Sequence, residues 1–377
     1  MTAPSLHLVV PGPLDQRTGG YLYDARMAEG LRRRGWRVTV HSLDGRFPDA
    51  DETARTSMAA ALAAIPEGAT ALVDGLALGG LPEPVAAERR RLRILALVHH
   101  PLSDETGLPP EVRDRLAGSE RRALAAAHGV IVTSRFTARG LGRFGVDAGR
   151  VKVVEPGTDR PPGGAVDQVA GAPPRLLSVG AVVPRKGHDV LVRALARIAH
   201  LPWECDCAGS LERDPGHAVR VLAAVESQGL ADRVRFAGEC DPVTLAALYA
   251  ESALFVLASH YEGYGMVLAE ALAHGLPIVS TTGGAIPETV PPEAAVLVPP
   301  GDDAALAAAL APLLAGSDRE AGRQSGAERR AVLAAAARRH AAALPGWDDA
   351  AAAFAEALTA LARRDDRSGT VGRGTSR

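Results

Sequence analysis

Apolar and polar residues follow two repeating patterns along the chain, and together these patterns predict its secondary structure. Short runs rich in Val, Leu and Ile are typical of strands buried on both faces of a parallel sheet, and the longer Ala- and Arg-rich segments between them are typical of helices. The predicted strands are 6–10, 36–41, 71–73, 94–98 and 129–133 in the first half, and 176–179, 204–208, 234–237, 254–258 and 278–280 in the second. Strands that alternate with helices favour an α/β fold with doubly wound parallel sheets.

The alternating pattern stops once, in a segment dense in proline and glycine, and then starts again, which predicts two domains. We place the N-terminal domain at 1–160, a linker at 161–174 and the C-terminal domain at 175–346. A last amphipathic helix is predicted at 347–364. The remaining residues, 365–377, are rich in Ser, Gly and Arg, and we expect them to form a disordered tail.

Composition excludes several classes of protein. The chain has 377 residues, enough for two domains, and its formal net charge of −2 argues against a nucleic-acid partner. No run is long and apolar enough to span a bilayer, and the first apolar run is too short for a signal peptide, so we expect a cytoplasmic protein without integral membrane contact. Cys205, Cys207 and Cys240 match no common zinc or disulfide spacing and are expected to lie on strands as small apolar residues.

Two glutamates at the ends of Glu262-Gly-Tyr-Gly-Met-Val-Leu-Ala-Glu270 are the most informative feature of the sequence. The segment follows the predicted strand 254–258 and opens a helix. Gly263 and Gly265 let a ligand approach the backbone, and the free N–H groups of the first helical turn favour a phosphate or diphosphate. Glu262 then precedes the diphosphate site, and Glu270 lies roughly 7 Å further along the helix. This spacing suits hydroxyl groups on both sides of the diphosphate in a nucleotide-sugar.

Two further motifs follow predicted strands. Arg185-Lys186-Gly187 comes after the first strand of the second domain, where two cations can neutralise a diphosphate and stabilise it as a leaving group. Thr18-Gly19-Gly20 lies between the first strand and the first helix, the usual place for a phosphate-facing turn, but taken alone it is better explained by a turn that needs glycine for its backbone angles. The full G-x-G-x-x-G dinucleotide fingerprint is missing there, which disfavours a nicotinamide cofactor.

The residues 254–290 and the segment Val179-Gly-Ala-Val-Val-Pro-Arg-Lys-Gly-His-Asp189 resemble signatures of glycosyltransferase family 4, a group of retaining enzymes with the GT-B fold. The resemblance implies two Rossmann-like domains that face each other across a cleft, with the C-terminal helix crossing back to the N-terminal domain. It also implies that Glu262 binds hydroxyls of the donor sugar, that Glu270 binds the ribose, and that amides between them contact the diphosphate. Tyr264 stands where the family more often has Phe, which keeps an aromatic ring.

The N-terminal motifs gain roles from the same resemblance. Gly19 and Gly20 correspond to a glycine pair that approaches the donor diphosphate and the acceptor. His99, in His99-His100-Pro101, matches a histidine that touches the donor sugar or the reacting hydroxyl; the alternative is a histidine that only packs or caps. His100 stands where the family often has Asp, and Glu105 is a further candidate to face the acceptor.

The predicted site follows from these motifs. The catalytic candidates are Arg185, Lys186, Glu262 and His99, and the acceptor candidates are His100 and Glu105. The donor-binding candidates are Gly19, Gly20, Gly263, Tyr264, Gly265, Met266, Val267 and Glu270. We expect no catalytic metal and no cofactor besides the nucleotide-sugar, because the basic pair and the helix terminus supply positive charge. Asp49-Ala-Asp51 mimics a metal-binding D-x-D motif without its context, and Ser134 is expected to cap a helix rather than act as a nucleophile.

These observations predict a retaining, metal-independent glycosyltransferase that moves a hexose-type sugar from a UDP- or GDP-sugar to a hydroxyl acceptor. Three alternatives stay open. A nucleotide-sugar 2-epimerase has the same fold and needs no acceptor. A Rossmann oxidoreductase is disfavoured because the G-x-G-x-x-G dinucleotide fingerprint is missing. A non-catalytic carbohydrate-binding module would not need the complete set of predicted donor-binding residues. The acceptor, the base of the donor and the oligomeric state are not predicted.

Overall fold

The structure is a computed structural model that describes residues 3–161, 172–316 and 324–368. Its strands are β1 (Ser5–Pro11), β2 (Arg37–Leu43), β3 (Thr70–Asp74), β4 (Arg93–Val98), β5 (Gly129–Val132), β6 (Val151–Val153), β7 (Arg175–Val179), β8 (Glu204–Ala208), β9 (Val234–Gly238), β10 (Leu254–Leu257), β11 (Ile278–Thr281) and β12 (Ala295–Val298). Its helices are α1 (Gly19–Arg33), α2 (Glu52–Ala63), α3 (Gly75–Leu78), α4 (Pro82–Glu88), α5 (Pro110–Ala126), α6 (Arg135–Gly140), α7 (His188–Arg197), α8 (Pro215–Ser227), α9 (Pro242–Glu251), α10 (Met266–Ala273), α11 (Ile286–Thr289), α12 (Asp303–Leu314), α13 (Gly326–Ala341) and α14 (Trp347–Ser368).

The chain forms two compact units, each built on one parallel sheet. Unit 1 comprises 1–157 and 345–377, and unit 2 comprises 158–344. Each sheet has six strands, in the order β2-β1-β3-β4-β5-β6 in unit 1 and β12-β11-β10-β7-β8-β9 in unit 2. All the strand pairs are parallel. The α/β class with doubly wound parallel sheets, predicted from the alternation of strands and helices, is therefore confirmed.

The central strands of both sheets are buried on both faces. β4 buries every residue from Ile94 to Val98, and β10 buries every residue from Leu254 to Leu257. Full burial of one such aliphatic side chain stabilises the fold by about 1.5–3 kcal/mol. Because no polar residue lies between Ile94 and Val98 or within β10, polar side chains at the carboxyl ends of these strands lie in the loops that follow them, and this is where functional side chains can collect.

The last helix of the described chain belongs to unit 1, where α14 packs against α1. The two helices approach closely at Gly30, because a Cβ atom at that position would lie 2.4 Å from Cβ of Ala351. The rings of Tyr23 and Phe354 meet with their centroids 6.1 Å apart. Within the described ranges, neither α14 nor any other helix combines the length and the apolar composition that crossing a bilayer requires.

Some sequence predictions differ from the structure in detail. Gly19 and Gly20 do not lie in a loop but form the first turn of α1, since Thr18 already has the extended backbone of an N-cap. Cys205 and Cys207 are buried on β8 as expected, whereas Cys240 lies in the loop before α9 rather than on a strand. The terminal helix continues to Ser368 instead of ending at 364. Most of the predicted linker (162–171) and of the predicted tail (369–377) lies outside the described residues.

Candidate functional site

The strand order of unit 2 reverses between β7 and β10. From β7 the sheet continues to β8 and β9, and from β10 it continues to β11 and β12 in the opposite direction. At such a point the loops at the carboxyl ends of the two strands diverge, and the crevice between them is the usual ligand site of open parallel sheets. The loop after β7 carries the predicted basic pair, and the loop after β10 carries the first predicted glutamate. The topology therefore brings both donor motifs to one place.

Backbone contacts join these two loops. The N–H of His260 donates to the carbonyl of Arg185 at 2.8 Å. Gly187 has φ 66°, and a Cβ atom there would lie 2.2 Å from the carbonyl oxygen of Ala258. Only glycine fits both the left-handed backbone and this close approach. The spacing between the basic pair and the loop after β10 is thus set by main-chain atoms.

The basic pair contacts the first glutamate directly. Nζ of Lys186 lies 2.7 Å from Oε1 of Glu262, and Nη1 of Arg185 lies 3.5 Å from Oε2. The hydroxyl of Ser259 also donates to Oε1, at 2.6 Å. Glu262 is 5% exposed, so each of its oxygens meets a cation instead of water.

Charge keeps Glu262 ionised despite its burial. Burial alone would raise the pKa of the Glu262 carboxyl, but the charges of Lys186 and Arg185, with the hydrogen bonds from Lys186 and Ser259, outweigh burial and hold the pKa below its usual value. The backbone of Glu262 is fixed as well, because its carbonyl accepts from the N–H of Ala285 at 2.8 Å and it forms a parallel bridge with Gly284. The carboxylate of Glu262 is therefore ionised and held in place between Lys186 and Arg185.

Helix α10 begins immediately after this cluster. Gly265 is its N-cap residue, with φ 93° and no side-chain capping group. Met266 and Val267 are the first helical residues, and N–H groups in the first turn have no acceptor within the helix. Tyr264 is largely buried and Gly263 is buried, so these two residues shape the turn more than they line an open surface. The first turn of α10 is therefore suited to an anion.

The second glutamate lies one turn further along α10 and has a different partner. The hydroxyl of Tyr249, on α9, donates to Oε2 of Glu270 at 2.9 Å. Burial raises the pKa of Glu270, and the hydrogen bond from Tyr249 opposes that rise. Glu262 therefore precedes the first turn of α10 and Glu270 follows it.

In unit 1 the predicted His99 follows β4 and meets two buried carboxylates. Its Nε2 lies 3.1 Å from Oδ1 of Asp24, on α1, and 3.3 Å from Oδ2 of Asp74, at the end of β3. Asp24 is 2% exposed and Asp74 is 5% exposed. Since a carboxylate accepts and does not donate, Nε2 must carry a hydrogen in this arrangement.

The electrostatics of this cluster favour a charged ring. Burial alone would lower the pKa of His99, but its contacts with Asp24 and Asp74 raise that pKa to about 10. Burial raises the pKa of Asp24 to about 7, while His99 opposes the rise and Asp74 adds to it. At neutral pH the ring is therefore an imidazolium, which donates hydrogen bonds and does not act as a general base.

The same three side chains are arranged so that a metal ion would fit them. Their ligand atoms all lie within 4.8 Å of one another. Two carboxylates and one imidazole are a donor set that several divalent cations accept. The ion pairs within the cluster nevertheless satisfy the three groups without an ion.

The other candidates of unit 1 lie close to His99 in sequence. Nε2 of His100 lies 3.5 Å from Oε2 of Glu105, so the two acceptor candidates contact each other. The loop that holds them is anchored by Glu120 of α5, whose carboxylate accepts from the backbone N–H groups of Leu102 and Ser103 at 2.6 and 3.1 Å. Glu120 is buried and therefore fixes the backbone of this loop.

Gly20 packs against His99, a contact that the sequence did not predict. A Cβ atom at Gly20 would lie 3.2 Å from Cδ2 of His99, so the glycine leaves room for the imidazole ring beside α1. Gly19 is the first residue of that helix. The ring of Tyr23, one turn later, contacts the same imidazole edge-on with centroids 5.5 Å apart.

The residues set aside in the sequence analysis have structural partners. Asp51 caps α2 by accepting from the N–H of Ala54 at 2.9 Å, and Asp49 pairs with Arg115 at 3.0 Å. Ser134 caps α6 by accepting from the N–H of Thr137, which confirms its predicted role.

Four contributors to these clusters were not predicted: Asp24, Asp74, Tyr249 and Ser259. Asp74 directly follows the predicted strand 71–73, and the rule that ligands collect at strand carboxyl ends would have found it. Ser259 likewise directly follows the predicted strand 254–258. Asp24 and Tyr249 are helical residues whose partners are distant in sequence, and local patterns carry no signal for such contacts.

Two sequence profiles match the chain, one in each half. The profile described as "Glycosyltransferase Family 4" matches residues 75–160, and the profile described as "Glycosyl transferases group 1" matches residues 173–316. The second match includes the basic pair, both glutamates and the glycine turn between β11 and α11. The chain belongs to glycosyltransferase family 4.

Curated relatives of this family 4 chain have one name in common. This chain is 33% identical over 202 residues to D-inositol 3-phosphate glycosyltransferase 2 of Catenulispora acidiphila, a match covering 49% of this chain and 47% of the relative. It is 35% identical over 195 residues to D-inositol 3-phosphate glycosyltransferase of Xylanimonas cellulosilytica, covering 47% and 46%. The chain thus spans about half the length of the curated relatives it matches.

Solved structures show the fold of this family 4 chain. Sucrose-phosphate synthase from Thermosynechococcus elongatus superposes with a TM-score of 0.77 at 23% identity, covering 95% of this chain and 99% of the other. Anabaena HepE, solved in complex with UDP-glucose, superposes with a TM-score of 0.68 at 16% identity, covering 94% and 99%. The predicted GT-B fold is confirmed by these likenesses, and the comparisons give no support to the epimerase alternative.

Proposed function

We propose that the protein is a glycosyltransferase that moves a sugar from a nucleotide-sugar to a hydroxyl acceptor, with retention of configuration at the anomeric carbon. Unit 2 would bind the donor, and the loop after β4 in unit 1 would serve the acceptor. One observation carries the proposal: Lys186 and Arg185 meet Glu262 at the strand-order reversal of unit 2, beside the first turn of α10.

Each end of a nucleotide-sugar has a matching group in unit 2. The two cations and the first N–H groups of α10 suit the diphosphate. Glu262, held by Lys186 and Arg185, would accept hydrogen bonds from hydroxyls of the sugar, and Glu270 would accept them from the ribose. Because two cations face one carboxylate, the cluster carries a net positive charge toward the diphosphate.

The proposed reaction needs no nucleophile from the protein. The bond between the anomeric carbon and the β-phosphate oxygen breaks, and its electron pair stays with the diphosphate. The acceptor oxygen bonds the anomeric carbon on the same face, and the acceptor proton passes to the leaving phosphate oxygen. Lys186, Arg185 and the amides of α10 would stabilise the negative charge that develops on the diphosphate, so the proposal includes no metal and no cofactor.

The substrates to test first come from the named relatives. HepE was solved with UDP-glucose, and the curated relatives are D-inositol 3-phosphate glycosyltransferases by name. We therefore propose UDP-sugars, with GDP-sugars as the alternative, as donors. D-inositol 3-phosphate is the first acceptor in the panel, followed by simple sugars and other hydroxyl compounds.

Two measurements test the proposal. A thermal-shift panel of UDP, GDP, ADP and their sugars should raise the melting temperature with one base, because a bound ligand stabilises the folded state. Release of that nucleoside diphosphate should then require acceptor, and NMR of the product should show the anomer of the donor. An inverted product contradicts retention, and the absence of any calorimetric heat with millimolar nucleotides contradicts the donor site itself.

A separate incubation distinguishes transfer from epimerisation. With UDP-N-acetylglucosamine and no acceptor, a transferase should leave the sugar configuration at C2 unchanged. Formation of the 2-epimer in that incubation would support the isomerase instead.

A further inference from the structure

The hydroxyl group of Tyr249 contacts a residue that the sequence analysis placed at the ribose. Tyr249 lies on α9 and Glu270 on α10, and the hydroxyl is 2.9 Å from Oε2 of the carboxylate and 3.3 Å from the carbonyl oxygen of Val267. A tyrosine hydroxyl has one hydrogen, and the charged, closer carboxylate is its better acceptor. Burial and the neighbouring charge of Glu270 raise the pKa of Tyr249 well above its usual value, so the hydroxyl keeps that hydrogen.

The ring of Tyr249 is held independently of its hydroxyl. Tyr249 is 2% exposed, and its ring stacks against that of His274, at 4.8 Å between centroids, and against that of Phe255, at 5.9 Å. The interplanar angles are 16° and 21°, so both neighbouring rings lie nearly parallel to that of Tyr249. Because the stack fixes the ring, the hydroxyl has a defined position and fixes Oε2 of Glu270 in turn.

The other oxygen of Glu270 is left for a ligand. Within 3–161, 172–316 and 324–368, Oε1 has no hydrogen-bond partner, and Glu270 is partly exposed, so this oxygen is not completely buried. A carboxylate oxygen has two lone pairs and can accept from two neighbouring hydroxyls, as the 2′ and 3′ hydroxyls of ribose present them. A carboxylate free to rotate would lose entropy on binding them, whereas one already held by Tyr249 loses less.

We propose that Tyr249 is a positioning residue that fixes Glu270 for the two ribose hydroxyls and thereby makes the site select ribonucleotides over deoxyribonucleotides. This inference rests on the proposed function, because it requires that unit 2 binds a nucleotide. It adds a specificity determinant on α9, whereas Glu270 lies on α10 and Glu262 precedes that helix. The selected ligand class is a nucleoside diphosphate with intact 2′ and 3′ hydroxyls.

The test compares binding of a ribonucleotide and its 2′-deoxy analogue by calorimetry. UDP and 2′-deoxy-UDP are the first pair, and GDP with 2′-deoxy-GDP is the second. The wild-type protein should prefer the ribonucleotide by roughly tenfold or more, the loss expected when a hydrogen bond to a charged group is missing. Tyr249→Phe keeps the ring stack and removes only the hydroxyl, so it should reduce the preference to about threefold or less while retaining nucleotide binding.

Two further variants separate positioning from a general loss of stability. Glu270→Gln should abolish the preference, since it replaces the accepting carboxylate. Tyr23→Phe is the matched control, because Tyr23 is equally buried and its hydroxyl donates to the carbonyl of Val154 at 2.9 Å in unit 1. It should lower the melting temperature to a similar extent as Tyr249→Phe and leave the ribose preference unchanged.

The outcomes distinguish this inference from the function on which it rests. If nucleotides bind but the wild-type protein does not prefer ribose, or if Tyr249→Phe keeps the full preference, the positioning role is overturned and the donor site stands. If no nucleotide binds the wild-type protein, both are overturned. A preference that falls equally in Tyr249→Phe and Tyr23→Phe would also overturn the positioning role, because the effect would then follow stability alone.

Discussion

The Nζ atom of Lys186 lies 2.7 Å from Oε1 of Glu262, and this contact sets the charge of the candidate donor site. Arg185 approaches the other oxygen at 3.5 Å, so two cations share one carboxylate. The lysine and arginine side chains are 14% and 16% exposed, and the glutamate side chain is 7% exposed. Because water reaches these three charged groups so little, each is stabilised mainly by its oppositely charged partner. Removing one partner therefore leaves a buried charge without compensation.

We expect Lys186→Ala to lower kcat/KM for transfer by at least about 100-fold, because it removes a cation that stabilises the leaving diphosphate. The melting temperature should fall less than for Glu262→Ala, since Arg185 and Ser259 still contact Glu262 in the lysine variant. The chain contains one other lysine, Lys152, on β6 of unit 1, and Lys152→Ala is the matched control. Near-normal turnover of Lys186→Ala contradicts the role assigned to this lysine.

Replacement of Gly187 by alanine tests the backbone contact between the two loops. An alanine at Gly187 would bring its Cβ to 2.2 Å from the carbonyl of Ala258, so the loops must separate. Gly229→Ala is the control, because Gly229 has nearly the same φ, 68°, with no atom within 4 Å of the added Cβ. Both variants take on the left-handed strain of about 1–2 kcal/mol, but only Gly187→Ala should also lose nucleotide binding in calorimetry. Equal nucleotide affinity in the two variants would show that the loop spacing tolerates displacement.

The pKa of His99 predicts how the stability of unit 1 depends on pH. Because contacts with Asp24 and Asp74 raise this pKa from 6.5 to about 10, the charged ring stabilises the folded state. That contribution is fully present below about pH 6.5 and is lost as pH rises through about 10. His99→Gln should therefore lower the free energy of unfolding near pH 6 by about 2 kcal/mol and change it less at pH 10. Urea denaturation at several pH values measures this, with His100→Gln as the control in the same loop.

Direct observation of the ring tests the same assignment without a stability measurement. In ¹⁵N NMR spectra, the ring of His99 should have imidazolium shifts at pH 8, and the Asp24→Asn variant should shift it toward the neutral form. A neutral His99 ring in the wild-type protein at pH 8 would contradict the ion pairs with Asp24 and Asp74.

Removal of metal ions tests the proposal that transfer needs none. Excess EDTA should leave the rate of transfer unchanged, because Lys186, Arg185 and the first turn of α10 supply the positive charge. A loss of rate that zinc or manganese restores would instead assign a metal to the cluster of Asp24, Asp74 and His99, whose ligand atoms are close enough to share one. The Asp74→Asn variant, assayed with the same ions, would then locate the metal.

Much of the architecture could be predicted because it depends on local patterns. Buried parallel strands are continuous apolar runs, so β4 and β10 were located to within one or two residues. The edge strands β6 and β12 were not predicted; both are short and, unlike β10, partly exposed. Gly19 and Gly20 predict a loop, but the structure shows that α1 begins at Gly19. The absence of a side chain at Gly20 leaves room for the ring of His99.

The candidate site was predictable to the extent that its residues follow strands. Lys186 and Glu262 both follow strands of one sheet, so the sequence predicts a shared ligand for them, and the structure brings the two side chains into contact. Asp24 and Tyr249 lie within helices and meet partners 75 and 21 residues away in sequence. Such contacts depend on how the helices pack, and neither periodicity nor composition records that packing.

The main-chain contact between Gly187 and Ala258 has an evolutionary consequence. Because carbonyl and amide groups set the distance between the loops after β7 and β10, most neighbouring side chains can change without altering that distance. Descendants of this scaffold could therefore acquire new sugar or base preferences by single substitutions while the proposed contacts to the pyrophosphate persist. Diversity of substrates would then arise around a centre in which Gly187 has little freedom to vary.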